Sequence, residues 1–137
     1  MARDKIHNAV KNSLIKDGWT ITDDPLVLLP NEENISIDLG AEKILLAEKG
    51  LEKIAVEIKT FDQPSLMYEF HRAIGQYIDY ESALIEANEE RLLFMAVSKL
   101  IYPRLLNSKV IKRSIKRMGM RVIVVDIENE TIESWEQ

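Results

Sequence analysis

The segment AVEIKTF, residues 55–61, places an acid and a base two positions apart in a run that otherwise favours a buried strand. Residues two apart on a strand point to the same face, so Glu57 and Lys59 project together. Asp38 lies on the polar side of an earlier alternating segment, ISIDLG, at residues 35–40. One or two carboxylates often hold Mg²⁺, and a nearby lysine stabilises developing negative charge. These residues are the minimum set for metal-dependent phosphodiester hydrolysis, with Asp38 and Glu57 as metal ligands and Lys59 as the cation.

A solvated sheet face is the alternative interpretation of Glu57 and Lys59, because Glu-x-Lys is common on half-exposed strands. Geometry adds a difficulty. A tight hairpin with Lys49 and Gly50 at its tip pairs residue 48 with residue 51 and puts Glu57 opposite Glu42. Asp38 would then lie roughly 13 Å away along the strand, too far to share an ion. A metal site therefore requires a bulge, a wider loop or strong twist, and Gly40 is the expected position of a bulge.

The predicted helix over residues 65–88 carries the third group of candidate residues. Gln76 and Tyr80 are four residues apart, so they share one face of this helix. Gly75 is unfavourable in a helix interior, and we interpret it as a point of close approach by another backbone or by a substrate. The alternative is that Tyr80 is a core aromatic residue and Gln76 has no role.

A basic stripe is predicted on a later helix, about 103–118, which ends at Gly119. Lysines and arginines recur there at three- and four-residue spacing, with Val110, Ile111, Ile115 and Met118 expected towards the core. The stripe consists of Lys109, Lys112, Arg113, Lys116 and Arg117. It is the candidate DNA contact, and a solvated helix face is the alternative. The formal net charge of −5 means that any DNA contact has to come from such a local patch.

Composition narrows the class of protein. The chain of 137 residues contains no cysteine, which excludes disulfides, thiol nucleophiles and cysteine-ligated zinc. No apolar run approaches the roughly 18 residues of a membrane helix, so we expect no membrane association. The first ten residues, MARDKIHNAV, lack an apolar signal segment, and we therefore expect a cytoplasmic location.

Hydrophobic periodicity predicts one α/β (α+β) domain spanning residues 1–137, with a mixed sheet and the order α-β-β-β-α-β-α-β-β. Residues 3–17 have the pattern of an amphipathic helix, and residues 41–61 that of two strands meeting near Lys49 and Gly50. The nearly continuous apolar run at 91–98 is typical of a central buried strand. Residues 120–127 and 131–136 supply the last strands.

In this order, Asp38, Glu57-Ile58-Lys59 and Gln76-x-x-x-Tyr80 resemble the PD-(D/E)XK nuclease superfamily, although Ile37 stands where that name has proline. The resemblance implies a restriction-endonuclease-like core, Mg²⁺ or Mn²⁺ on Asp38 and Glu57, Lys59 serving the attacking water or transition state, and Gln76 and Tyr80 bordering the site.

The segment VEIKTFDQPSLMYEFHRAIGQYIDYESAL, with ARDKIHNAVKNSLIKDGW before it and DIENETIESW near the end, resembles the XisH family. These are cyanobacterial factors that control excision of the fdxN element. Membership implies a role beside a site-specific recombinase in DNA rearrangement, and a companion protein, XisI.

Two functional hypotheses follow. The first is a metal-dependent endonuclease acting on DNA during programmed excision. The second is a regulator that keeps the nuclease fold and binds DNA or protein without cutting. A salt bridge that occupies Glu57, or a long distance between Glu57 and Asp38, would favour the second. Exposed edges of the mixed sheet make a homodimer a further expectation.

Overall fold

The computed structural model describes residues 2–23 and 44–137, which form a single mixed sheet between two helical layers. The elements are α1 (Ala2–Lys16), β1 (Thr20–Asp23), β2 (Ile44–Lys49), β3 (Glu52–Ile58), α2 (Leu66–Glu86), β4 (Leu92–Ser98), α3 (Tyr102–Asn107), α4 (Lys109–Met118), β5 (Val122–Asp126) and β6 (Thr131–Glu136). This confirms the predicted α/β class, with one predicted helix divided into α3 and α4. The predicted strand at 35–40, with Asp38 and Gly40, lies outside the described residues.

The six strands lie in the order in which they occur along the chain. β3, β4 and β5 run parallel to one another, and the β1–β2, β2–β3 and β5–β6 pairs are antiparallel. The parallel strands are largely buried, as expected for a sheet that helices cover on both faces. Within the described ranges, no helix has the length and apolar character needed to cross a membrane.

The β2–β3 hairpin corrects the predicted register. Lys49 pairs with Glu52, so Gly50 and Leu51 form the loop, whereas the sequence predicted pairing of residues 48 and 51. Gly50 has φ +60° at the first loop position, where a two-residue type II′ turn favours glycine. The residue opposite Glu57 is consequently Ile44 and not Glu42. Pairing is regular from this end of the ladder to the turn, so the described part of the hairpin contains no bulge.

The alternation along β3 assigns its side chains to two separate cores. Ile54 and Val56 pack in the cluster that contains α1 residues, whereas Ala55 packs with residues of α2, α3 and α4. Glu57 and Lys59 share the alternation of Ala55 and therefore face α2. This confirms the two faces predicted for the strand.

Helix α2 begins where a serine caps it. The Ser65 hydroxyl accepts a hydrogen bond from the Tyr68 amide at 3.1 Å, satisfying one of the first backbone donors of the helix. The buried residues recur at helical spacing and form one stripe against the sheet: Phe70, Ala73, Gln76, Tyr77, Tyr80, Ala83 and Leu84. The stripe places Gln76 and Tyr80 on the side of the helix that faces β3.

A break at Ser108 divides the predicted helix over 103–118. Ser108 has an extended backbone, φ −84° and ψ 116°, and its hydroxyl caps α4 by accepting from the Ile111 amide. Ile111 is buried and Ile115 partly buried, but the expected inward orientation of Val110 and Met118 is wrong, because their exposures are 63% and 46%. Val110 is about 100° around the helix from Ile111, and Met118 ends the helix, so neither can reach the core.

Gly75 lies on the exposed side of α2, and a Cβ placed there would have no neighbour within 4 Å. The predicted close approach by another backbone is therefore absent among the described residues. We expect Gly75→Ala to raise the free energy of unfolding by about 1 kcal/mol, because alanine loses less backbone entropy in a helix. Urea unfolding measures the change.

Gly119→Ala is the matched control for this substitution. Gly119 ends α4 at φ +61°, a left-handed conformation that a Cβ makes unfavourable, so the same change should destabilise the protein. Destabilisation by Gly75→Ala would contradict the prediction.

Candidate functional site

Glu57 occupies an unusual position for a carboxylate. It lies near the carboxyl end of β3, between Ile44 of β2 and Met95 of β4, and its side chain has 0% exposure. A buried charge is tolerated only when neighbouring groups compensate for its lost hydration. The environment of Glu57 therefore defines the site.

Lys59 supplies a compensating charge. Its ammonium Nζ lies 3.2 Å from Glu57 Oε1, and its side chain is only 11% exposed. Lys59 follows the last residue of β3, but its amide still donates to the Ala96 carbonyl at 3.0 Å. This bond continues the β3–β4 ladder by one residue and holds the lysine backbone beside the carboxylate.

Gln76 joins the strand residues to α2. Its side chain is buried, and Oε1 accepts a hydrogen bond from Lys59 Nζ. The ammonium group thus contacts one charged and one neutral oxygen, from two different elements. The structure brings together Glu57, Lys59 and Gln76, three residues that are separated in sequence by up to 19 positions.

Tyr80 lies one turn after Gln76 on the same buried stripe, with 1% exposure. It belongs to the apolar cluster that also contains Phe70, Ala73 and Tyr77. This placement agrees with a core aromatic residue and keeps Tyr80 on the face of α2 that borders Glu57. A catalytic role for Tyr80 stays a prediction.

The loop between Lys59 and α2 is strained and anchored. Phe61 has φ +52°, uncommon for a residue with a large side chain, yet it is 1% exposed within the α2-facing core. The Thr60 hydroxyl bonds to Asp62, and the Gln63 amide donates to Glu69 Oε1 at 2.6 Å. Packing of Phe61 and these bonds maintain a conformation that brings the chain from Lys59 directly into α2.

A divalent metal ion at this site would take ligands from both Glu57 and Asp38. Asp38 and the predicted bulge at Gly40 lie outside the described residues. Within residues 2–23 and 44–137, no group of three or more histidine, aspartate or glutamate side chains forms a metal site. Glu57 supplies one hard oxygen donor, the type that Mg²⁺ prefers, so a complete ligand set needs Asp38 or substrate oxygens.

Tyr77 is a structural residue that the sequence analysis missed. Its hydroxyl donates to the Leu93 carbonyl at 3.0 Å and accepts from the Arg121 amide at 3.2 Å. It therefore ties α2 to the start of β4 and to the residue before β5. Burial is the main reason why the pKa of the Tyr77 hydroxyl is raised. The sequence could have indicated this inward orientation, because Tyr77 follows Phe70 by seven residues, which places the two on the same side of the helix.

A second polar cluster lies at the same edge of the parallel strands, where β5 ends. Asp126 Oδ2 lies 2.8 Å from Lys99 Nζ, and its carboxylate also accepts from the amide and side chain of Asn129. The hydrogen bond from Lys99, followed by those from Asn129, holds the pKa of Asp126 far below its usual range. These contacts close the turn between β5 and β6.

The basic stripe on α4 is largely exposed. Lys109, Lys112, Arg113, Lys116 and Arg117 all face solvent. In the described part of the chain, none of the five makes an ion pair. Helix α4 lies in the same layer as α2, on the face of the sheet towards which Glu57 points.

The fold and site define a class: mixed-sheet α/β proteins with a buried Glu-Lys pair at the end of a central strand. The model of the XisH family, described as XisH protein, matches residues 1–133, and the chain therefore belongs to the XisH family. No curated protein matches the chain.

Two solved structures are similar over almost the whole chain. An XisH family protein from Nostoc punctiforme shares 36% identity, with a TM-score of 0.83, covering 98% of this chain and 100% of its own. An fdxN element excision controlling factor protein from Anabaena variabilis shares 37% identity, with a TM-score of 0.84 and the same coverage.

We predict that Lys59→Met lowers the free energy of unfolding by about 3 kcal/mol, because it removes a cation from a buried carboxylate. Lys59→Met combined with Glu57→Gln should be less destabilised than Lys59→Met alone, since the buried charge is then also removed. Urea unfolding in a double-mutant cycle measures this coupling. Lys5→Met, which removes an exposed ion pair to Glu128, is the control and should change stability by less than about 1 kcal/mol. Equal effects of Lys5→Met and Lys59→Met would contradict the assignment.

Asp126→Asn should destabilise the protein most at pH 7 and clearly less at pH 2. The pKa of Asp126 is lowered in the folded state. Its stabilising contribution is therefore fully present above the unfolded pKa of about 3.9, declines below that value, and is lost only as the pH falls through the lower pKa of the folded state. Urea unfolding at both pH values tests this, with the exposed Glu86→Gln as control. A stability difference between Asp126→Asn and wild type that does not shrink at low pH would refute the role of the carboxylate.

Proposed function

We propose that this protein controls the excision of a DNA element, the role for which its Anabaena relative is named, and that it does so as a metal-dependent endonuclease-fold protein acting on DNA. Similarity over 98% of the chain supports the shared role. The main support for a nuclease-type site is the environment of Glu57. Its side chain is wholly buried at the end of β3 and contacts Lys59, which also donates a hydrogen bond to Gln76 of α2. Burying a charge in this way is costly for a sheet that only has to fold.

The described residues have distinct roles in this proposal. Glu57, with Asp38 from outside the described residues, would hold Mg²⁺ or Mn²⁺, which supplies a Lewis acid and lowers the pKa of a bound water. Lys59 carries the positive charge that stabilises the developing negative charge of the phosphate. Gln76 orients Lys59 through its hydrogen bond, and Tyr80 borders the site from the next turn of α2.

The α4 stripe would contribute the contact to the DNA backbone. Its five basic side chains face solvent and have no ion-pair partner among the described residues, so they can neutralise phosphates without breaking an existing ion pair. Because the overall net charge is −5, we expect DNA to contact the protein only at this stripe and at the Glu57–Lys59–Gln76 site.

The salt bridge between Lys59 and Glu57 favours a second candidate function. The lysine lies against one carboxylate oxygen, and the carboxylate has 0% exposure, so metal binding requires the surroundings of Glu57 to open. In this alternative, the protein is a regulator that retains the fold and binds DNA or protein without cutting. XisI as companion, an indirect action on the site-specific recombinase and a homodimer through the sheet edges are compatible with either function.

A nicking assay distinguishes the two functions. Supercoiled and branched DNA would be incubated with the protein and Mg²⁺ or Mn²⁺, with and without XisI. We expect metal-dependent nicking that Lys59→Ala and Glu57→Gln each reduce at least about 100-fold, since both change the charge at the site. Lys5→Ala, on the opposite helical layer, should retain activity. Absent nicking under all conditions, or nicking that both site variants retain, would refute the catalytic function.

A binding arm of the same experiment separates a regulator from a protein that does not act on DNA. Lys112→Ala with Lys116→Ala should lower DNA affinity and reduce the slope of log affinity against log salt by about 0.9 for each phosphate that is no longer neutralised. Lys5→Ala with Lys16→Ala on α1 is the matched control. DNA binding without nicking would support the second function, whereas an unchanged slope would exclude the stripe as the DNA-binding surface.

A further inference from the structure

A cavity of about 910 Å³ opens at the end of the sheet opposite Glu57. Residues Glu52, Lys53 and Ile54 line it at the start of β3, and Leu92 and Phe94 line it on β4. Lys53 and Glu57 are four residues apart on one strand, which corresponds to roughly 13 Å. The cavity is therefore separate from the Glu57–Lys59–Gln76 site, and nothing in the proposed function uses it.

The floor of the cavity is an aromatic cluster. The Trp135 ring lies 5.7 Å from that of Trp19 and 5.1 Å from that of Phe94, the latter in an edge-on arrangement. Trp19, Phe94 and Ile54 are buried, with exposures of 6%, 3% and 3%. Large, well-packed aromatic side chains lose little conformational entropy when another apolar group covers them.

Two exposed aliphatic side chains flank the mouth. Ile85, in the last turn of α2, is 71% exposed, and Leu92, the first residue of β4, is 47% exposed. Because both residues line the cavity, they extend its apolar surface from the floor to solvent. An exposed apolar patch with a polar rim is typical of a protein interface.

The charged side chains at the rim of the cavity indicate whether its occupant is a cation or an anion. Lys49 pairs with Asp17, Lys53 with Glu48, and Arg91 with both Glu48 and Glu89. Arg91 also donates to the carbonyls of Ala47 and Ile54, so its guanidinium is fully engaged. Each of these cations is thus already paired with a carboxylate of the protein.

Two rim carboxylates remain. Glu52 and Glu90 line the same cavity and have no ion-pair partner in the described part of the chain. The uncompensated charge at the mouth is therefore negative. This charge repels nucleic acid and anionic membranes and attracts a cationic segment.

We propose that this cavity binds a segment of a partner protein that presents bulky apolar side chains flanked by lysine or arginine. The apolar side chains cover the tryptophan floor between Ile85 and Leu92, and the flanking cations pair with Glu52 and Glu90. An amphipathic helix with apolar anchors at positions i and i+4 fits this arrangement.

Intrinsic fluorescence provides a direct test, because the chain has two tryptophans and both line the cavity. The probe is a tryptophan-free helical peptide of about 12 residues with leucines at i and i+4 and flanking lysines. Titration into the full chain should change tryptophan emission in a saturable way. Peptides with glutamate in place of lysine, or alanine in place of leucine, should bind at least about tenfold more weakly.

Variants of the chain complete the test. Leu92→Glu, and separately Glu52→Lys with Glu90→Lys, should each weaken binding of the basic peptide at least about tenfold. Leu100→Glu is the matched control, because Leu100 is 74% exposed beyond the other end of β4 and should leave binding unchanged. Circular dichroism confirms that each variant is folded.

Three results would overturn the proposal. One is the absence of saturable binding by the basic peptide below about 1 mM, and another is equal binding of the acidic peptide. The third is self-association of the full chain in sedimentation experiments that Leu92→Glu abolishes, which would assign the cavity to a second copy of this chain.

Discussion

Burial of the Glu57 carboxylate is the constraint on which the surrounding structure depends. An ionised group with 0% exposure inside a sheet is stable only if other groups replace its hydration. Lys59 provides charge, the ladder bond from its amide to Ala96 positions that charge, and Gln76 orients it from the helix. The strained loop at Phe61 is part of the same arrangement, because it brings the chain from Lys59 into the helix that carries Gln76.

The two ends of the parallel strands have different chemistry. At the carboxyl ends, charged groups form closed clusters, Glu57 with Lys59 and Asp126 with Lys99. At the amino ends, tryptophans and aliphatic side chains form an open apolar cavity with an acidic rim. One sheet therefore carries a charged cluster at one end and an apolar cavity with an acidic rim at the other, and the two functions proposed for these ends call for chemically different partners. β3 and β4 run from one end to the other and connect the two.

Much of the fold could be predicted because it depends on local patterns. Alternation along β3 assigned its two faces, helical spacing placed Gln76 and Tyr80 on one side of α2, and Gly119 ended α4 in the left-handed conformation that glycine favours. The wrong predictions concern local choices, a hairpin register and a helix break, between alternatives that differ little in free energy. The turn at Gly50 selected a register different from the predicted one, and Ser108 divided a helix because its hydroxyl could cap the second half.

The local sequence is enough to place Glu57 and Lys59 on one face of a strand and Gln76 and Tyr80 on one side of a helix, because strand and helix periodicities are properties of the local backbone. The contact between Lys59 and Gln76 and the complete burial of Glu57 arise from tertiary packing. The same is true of the meeting of Trp19, Phe94 and Trp135 at the far end of the sheet. These contacts join elements distant in sequence, and their geometry follows from how the helices and strands pack, which no local pattern encodes.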